Sequence, residues 1–171
     1  MNIEYRVLEK YPEERFQELM DRNLHEQTVF FDLSETYQAS DFPFESNPHK
    51  IKIGAYFNDE LIGLSCGQAK SKNEFLMMIS LVEDEFRNKG IYTSMLNKVL
   101  DLTESYDIIE SHHHISNNPI IRIKLQNEFY ISGYNINLYV GPTVILRKYN
   151  NEKLKEVFDY RVNKTSATPK L

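Results

Sequence analysis

Residues 75–96 read FLMMISLVEDEFRNKGIYTSML, and the way this stretch divides decides the fold. Phe75 to Val82 is an unbroken apolar run of one strand's length, which predicts a strand buried on both faces. From Ile91 onward, Met95, Leu96, Val99 and Leu100 recur at helical spacing. Between the two lies one glycine, Gly90, beside Arg87, Asn88 and Lys89. A turn that enters a helix leaves the first N–H groups without intrahelical partners, and the helix dipole adds partial positive charge there. Gly90 lets the backbone approach an anion closely, and Arg87 adds a planar fork of donors. The residues alone leave two readings open: an ordinary connection with solvated basic side chains, or an anion cradle. The turn has neither the three spaced glycines of a dinucleotide fingerprint nor the Gly-Lys-Ser/Thr of a P-loop.

Working outward, the chain alternates strands and helices without a repeat or a linker. Ile3, Tyr5 and Val7 alternate as in a half-buried strand over 3–8. Pro12 with Glu13 and Glu14 then opens a helix whose stripe is Phe16, Leu19, Met20 and Leu24. Residues 28–49 are aromatic-rich and irregular, with a short helix expected around 32–39; Phe30, Phe31, Tyr37, Phe42 and Phe44 are pocket or core residues. Strands are expected at 51–57 and 61–69, joined at Asn58-Asp59, two residues that tolerate positive φ. After the helix over 90–104 come a strand at 107–114, a helix at 117–128, strands at 129–139 and 142–148, and a last helix capped by Asn150 or Asn151. Residues 163–171 read as a polar tail, which leaves one mixed α/β or α+β domain over 1–162.

Composition narrows the function. The 171 residues are 41% hydrophobic and 26% charged, as in an ordinary globular domain. A net charge of −5 argues against a nucleic-acid partner and fits an amine-bearing one. Cys66 is the only cysteine, so no internal disulfide forms, and a reducing cytoplasm is expected. No apolar window is long enough for a membrane span, and the N-terminus lacks the order of a signal peptide.

The stretch 111–125, SHHHISNNPIIRIKL, carries the remaining chemistry. Adjacent strand residues face opposite ways, so His112 and His114 share a face that His113 cannot join. With no cysteine or carboxylate at a ligand spacing, no metal is expected. Glu110 falls on the face of His112. Half-exposed histidines at a strand end are the plain alternative.

The residues VEDEFRNKGIYTSML resemble the acyl-CoA-binding motif of the GNAT superfamily of N-acetyltransferases. That motif is an apolar strand ending in Val, then Gln or Arg-x-x-Gly-x-Gly or Ala, then a helix. Tyr92 stands where the family carries a small residue. The order of elements matches over about residues 3–149. The resemblance implies a three-layer fold with a central, mostly antiparallel, splayed mixed sheet flanked by helices. It implies acetyl-CoA as co-substrate, with Leu81 and Val82 on pantetheine and Arg87, Asn88, Lys89, Gly90, Ile91, Tyr92 and Thr93 on the pyrophosphate. Asn117 matches an Asn that follows the next strand, and Glu128-Phe129 fall at the family's Gly-Phe. In the branch that acetylates protein N-terminal amines, a carboxylate five residues before that Asn is a general base, and a Tyr seven residues after it is a general acid. The matching residues here are His112 and Lys124, with Tyr130 the nearest phenol and Glu110 either orienting His112 or replacing it. The implied acceptor is an amine on a small molecule or a peptide; a homodimer is compatible.

Overall fold

A computed structural model describes residues 1–28, 48–137 and 141–162. The segment expected to hold a short helix at 32–39 and the tail at 163–171 lie outside the described residues. The order is β1 (Glu4–Val7), α1 (Glu13–Thr28), β2 (Lys50–Phe57), β3 (Glu60–Ala69), β4 (Glu74–Val82), a single 3₁₀ turn (Asp84–Phe86), α2 (Ile91–Leu102), β5 (Ile108–His114), α3 (Asn118–Gln126), β6 (Tyr130–Asn137), β7 (Gly141–Tyr149) and α4 (Glu152–Arg161). The strands make one seven-stranded sheet in the order β1-β2-β3-β4-β5-β7-β6. Every neighbouring pair is antiparallel except β4 and β5. The fold is thus α+β with a mixed sheet, as the resemblance implied.

Local chemistry sets the corners. Asn58 and Asp59 take φ of 49° and 63° and close the β2–β3 hairpin, the conformation their short polar side chains allow. Asn151 caps α4 by accepting from the N–H groups of Lys153 and Leu154. Glu128 holds φ of 64°, a left-handed position that accounts for glycine at this place in the family motif.

Helices cover both faces of the sheet. On one face α1 packs Leu19 and Phe16 against Tyr11, Tyr56, Leu61 and Leu64. On the other, α2 sets Ile91, Met95, Leu96 and Val99 against Ile53, Ile62, Phe75 and Met77, and α3 adds Ile121 and Ile123. Each such side chain, taken fully out of water, contributes about 1.5–3 kcal/mol. α4 lies on the α1 face, where Phe158 meets Tyr130 and Tyr149 at 5.0 Å between ring centroids.

One expectation fails informatively. The run from Phe75 to Val82 is not buried on both faces: Met78 is 51% exposed. Gly67 pairs with Met77 and Cys66 with Ile79, so β4 carries Met78 as an extra, bulged residue. The bulge reverses which face follows: Phe75 and Met77 pack under α2, while Ile79 and Leu81 turn toward α1. An apolar run without alternation is here the signature of a strand that changes faces.

Candidate active site

The parallel pairing of β4 with β5 covers only Glu74–Met77 against Ile108–Ser111. Beyond it β4 continues to Val82, held by β3, and β5 continues to His114, held by β7. The sheet therefore forks above Met77 and Ser111. Among the described residues, the backbone groups of β4 beyond Met77 and of β5 beyond Ser111 that face the gap have no cross-strand partner. Because the two strands are parallel, α2 and α3, which follow them, both begin at the open end of the fork.

The turn into α2 is built to leave donors exposed. Asn88 and Gly90 take φ of 60° and 77°, and the helix ladder starts only with Ser94 N–H to the Gly90 carbonyl at 3.0 Å. The N–H groups of Ile91, Tyr92 and Thr93 thus precede the ladder and point out of the helix end. No side chain caps this terminus and its first turn has no acidic residue, whereas α1 carries Glu13 and Glu14 there. A Cβ on Gly90 would meet nothing within 4 Å, so the space before the turn is open. This fits a bound pyrophosphate.

The basic side chains of the turn shape it. Arg87 Nε donates to the Val82 carbonyl at 3.1 Å, and its guanidinium pairs with Asp84 at 2.8 Å. Lys89 Nζ donates to the Glu85 carbonyl at 2.8 Å and lies 5.1 Å from the Phe86 ring centroid. Tyr92 turns inward and packs against the core. Its hydroxyl is buried without a hydrogen-bond partner among the described residues, and burial pushes its pKa well above the ordinary value. The ring that replaces a small residue therefore fills the core beside α2 and leaves the turn clear.

On the α1 face of β5, Glu110 is buried and accepts from three side chains. Lys70 Nζ reaches Oε1 at 2.9 Å, Arg147 Nε reaches Oε2 at 2.7 Å, and His112 Nε2 lies 3.0 Å from Oε1. These donors hold the Glu110 carboxyl, led by His112, well below the usual carboxylate range against the opposing effect of burial. An ionised carboxylate only accepts, so His112 donates the proton on Nε2 to Glu110, and it is Nδ1 that carries the lone pair whenever the ring is neutral. His112 is half-exposed at the crotch of the fork.

On the opposite face lies a second polar group. Lys124 is fully buried in α3, with Nζ 2.8 Å from Met77 Sδ and 4.2 Å from the Phe129 ring centroid. Desolvation brings its pKa down to about 7. His113 faces this side, its Nε2 buried without a partner among the described residues. Burial, then the Lys124 charge, then His112 take its pKa down to about 3. Among the described residues, no three His, Cys, Asp or Glu side chains are gathered as a metal would require.

The structure thus brings Leu81, Val82, His112, Glu110 and the 87–93 turn to the fork, with Lys124 beneath its base. Asn117 sits at the start of α3, its N–H on the His114 carbonyl at 2.9 Å. Tyr130 is not brought there. It pairs in register with Arg147, level with Glu110 and two strands from β4's partner edge, and packs under α4. Sequence reading missed Lys70 and Arg147, whose link to Glu110 spans long sequence distances and leaves no local signal. It also missed the bulge at Met78. Lys124 did leave one: it is a lysine on the apolar stripe of its helix.

No protein-family model matches the sequence, and no curated protein matches it. Solved structures do match the fold. A GNAT family acetyltransferase from Elizabethkingia anophelis with acetyl-CoA bound superposes with a TM-score of 0.62 at 14% identity, over 86% of this chain and 98% of that one. PaiA N-acetyltransferase from Thermoplasma acidophilum, in complex with coenzyme A, gives 0.62 at 15% identity over 87% and 99%. The ribosomal-protein-S18-alanine N-acetyltransferase from Escherichia coli gives 0.62 at 12% identity over 86% and 95%. At these identities the likeness concerns the backbone: the chain has the fold of the GNAT family acetyltransferases.

Proposed function

We propose that the chain is a GNAT-type N-acyltransferase that moves an acetyl group from acetyl-CoA to a primary amine by direct attack. The observation that carries this reading is the alignment of two features at one end of the molecule: the fork between β4 and β5, and the uncapped turn at Gly90. A pantetheine arm in the fork runs along β4 at Leu81 and Val82. A pyrophosphate finds the turn from Arg87 to Thr93, with the N–H groups of Ile91, Tyr92 and Thr93 ahead of the helix ladder and Asn117 on the other rim.

Bound acetyl-CoA supplies an activated acyl carbon. The rest falls to this chain. His112 Nδ1 takes a proton from the acceptor amine, directly or through water, so that the nitrogen can attack. Glu110 keeps the imidazole in that tautomer and stabilises it when protonated; with three donors on it, Glu110 is a poor base itself. Backbone N–H groups freed beside the bulge polarise the thioester carbonyl in the manner of an oxyanion hole. Lys124 returns a proton to the leaving thiolate, a task suited to an ammonium whose pKa lies near neutrality. Tyr130, packed under α4, is the weaker assignment for that role. Cys66 faces the α1 side on β3 with its pKa raised by burial, which supports transfer without an acyl-enzyme intermediate.

The acceptor is an amine on a small molecule or a peptide. Among the described residues no helix is long and apolar enough to cross a membrane, and the lone cysteine fits a cytoplasmic setting. A second reading, a CoA-binding sensor that does not turn over, draws on Lys124 standing where a phenol acts in the family. Incubating the protein with acetyl-CoA and a panel of amines and peptides, and following free CoA, separates the two. Amine-dependent thiol release is expected; tight binding without release across the panel would favour the sensor.

A further inference from the structure

Two buried polar groups of β5 face α3 and have no role in transfer to an acceptor. Ser111 Oγ and His113 Nε2 are both buried without a hydrogen-bond partner among the described residues. They stand two residues apart on one strand, so they share a face. Ser111 pairs in register with Met77, whose sulfur lies 2.8 Å from Lys124 Nζ. The Lys124 charge acts on His113, which places those two side chains near one another. A native interior rarely keeps an orphaned polar group. Here two adjoin an amine whose own neighbours are a thioether and a ring face.

That amine has a definite place along the fork. Met77 and Ser111 are the last residues that β4 and β5 pair, so Nζ lies at the closed base. A pantetheine arm that comes down from the Gly90 turn brings its thioester to the same base. Lys124 is fully buried, so an acylating group reaches it from the fork and not from bulk water. Desolvation brings its pKa down to about 7. Near neutral pH much of the amine is therefore uncharged and nucleophilic, where an exposed lysine is almost wholly an ammonium.

We propose, on the acyl-CoA reading of the fork, that Lys124 is a self-acylation site: with acetyl-CoA bound and no acceptor amine present, Nζ takes the acetyl group itself. The uncharged amine attacks the thioester carbonyl carbon. A C–N bond forms, the C–S bond breaks, and the proton released from nitrogen goes to the sulfur, so CoA leaves as the free thiol. The product is a secondary amide with one donor, one acceptor and no charge. His113 Nε2 can accept from its N–H, and the Ser111 hydroxyl can donate to its carbonyl. One modification thus gives partners to both orphaned groups of β5 and ends the buried charge. It also removes the ammonium that protonates the leaving thiolate, so a chain that has acylated itself turns over slowly. An acceptor amine, by drawing off the acetyl group, keeps Lys124 free.

Incubating the full chain with acetyl-CoA alone, and mapping acetyl groups by tandem mass spectrometry of its peptides, tests the proposal. Lys124 should be acetylated at least about tenfold faster than Lys72 or Lys153, which are exposed. The rate should saturate with acetyl-CoA, persist in Gly90→Asn and fall at least about tenfold in Gly90→Glu. Calorimetric binding of acetyl-CoA to the same preparation separates self-acylation from the acyl-CoA reading of the fork. Saturable binding with Lys124 unmodified, or modified no faster than Lys72 and Lys153, would overturn self-acylation and leave the transferase standing. Equal modification in Gly90→Glu would overturn it too, since the acetyl group would then come from solution. Absence of binding would bring down both.

Discussion

The amine of Lys124 lies 2.8 Å from the sulfur of Met77, in the interior and directly beneath the point where β4 and β5 part. A thioether is a weak acceptor and Phe129 offers only the face of its ring, so the ammonium form is poorly compensated.

That arrangement makes stability depend on pH. Unfolded, the lysine binds its proton with a pKa of 10.5; folded, with one of about 7. Between these values the unfolded chain holds the extra proton, so stability rises as pH climbs from about 7 to 10.5, and below 7 the folded chain bears the full cost of a buried charge. Lys124→Met, which keeps the length and removes the charge, should stabilise the protein by about 1–4 kcal/mol at pH 6, with the gain fading toward pH 10. Urea unfolding at the two pH values measures it. A loss of stability at pH 6 would mean that the ammonium is better accommodated than its surroundings indicate. The same variant should turn over more slowly by about 10²-fold if Lys124 protonates the thiolate.

On the other face, His112 and Glu110 are separable by substitution. His112→Ala should lower kcat on the order of 10²-fold or more with little change in acetyl-CoA affinity. Glu110→Gln keeps the shape but leaves Lys70 and Arg147 without their shared anion, at a cost of about 1–3 kcal/mol. Its kcat should fall while the affinity for acetyl-CoA holds. In the parent, the stability drawn from this depressed carboxyl is present above its ordinary pKa of 4.5 and is lost as pH falls below it. Acid unfolding of Glu110→Gln should lack that component. Equal acid sensitivity in both proteins would show that the triple hydrogen bond is not what keeps the carboxylate ionised.

Gly90 tests the turn with two substitutions that share a site but differ in charge. Its φ of 77° suits asparagine far better than a longer side chain, and the space around it is open. Gly90→Asn should fold and retain most acetyl-CoA binding. Gly90→Glu should lose at least about 10²-fold in affinity, because a carboxylate would stand where the pyrophosphate is held. Comparable affinity in the two variants would remove the turn from the site.

Much of this was legible in the residues because it is local. Asn58-Asp59, Gly90 and Asn151 each answer a backbone requirement within a few residues of themselves, and each places a corner of the fold. The run from Phe75 to Val82 marked the right strand but gave the wrong burial, since the loss of β5 as a neighbour after Met77 depends on a partner some thirty residues away. The same reason hid Lys70 and Arg147 from the reading of Glu110. Lys124 was visible as a lysine on an apolar stripe, yet that its neighbour Leu125 is 45% exposed while the amine is sealed inside depends on tertiary packing of α3 that no local pattern reports.

The central claim is that the fork and the Gly90 turn together hold an acyl-CoA. A calorimetric titration of acetyl-CoA into the full chain tests this most directly, before any acceptor is known. A saturable one-to-one isotherm in the parent, lost in Gly90→Glu and kept in His112→Ala, is the expected result. A folded parent protein that shows no saturable binding would contradict the claim, and both the transferase and the sensor reading would fall with it.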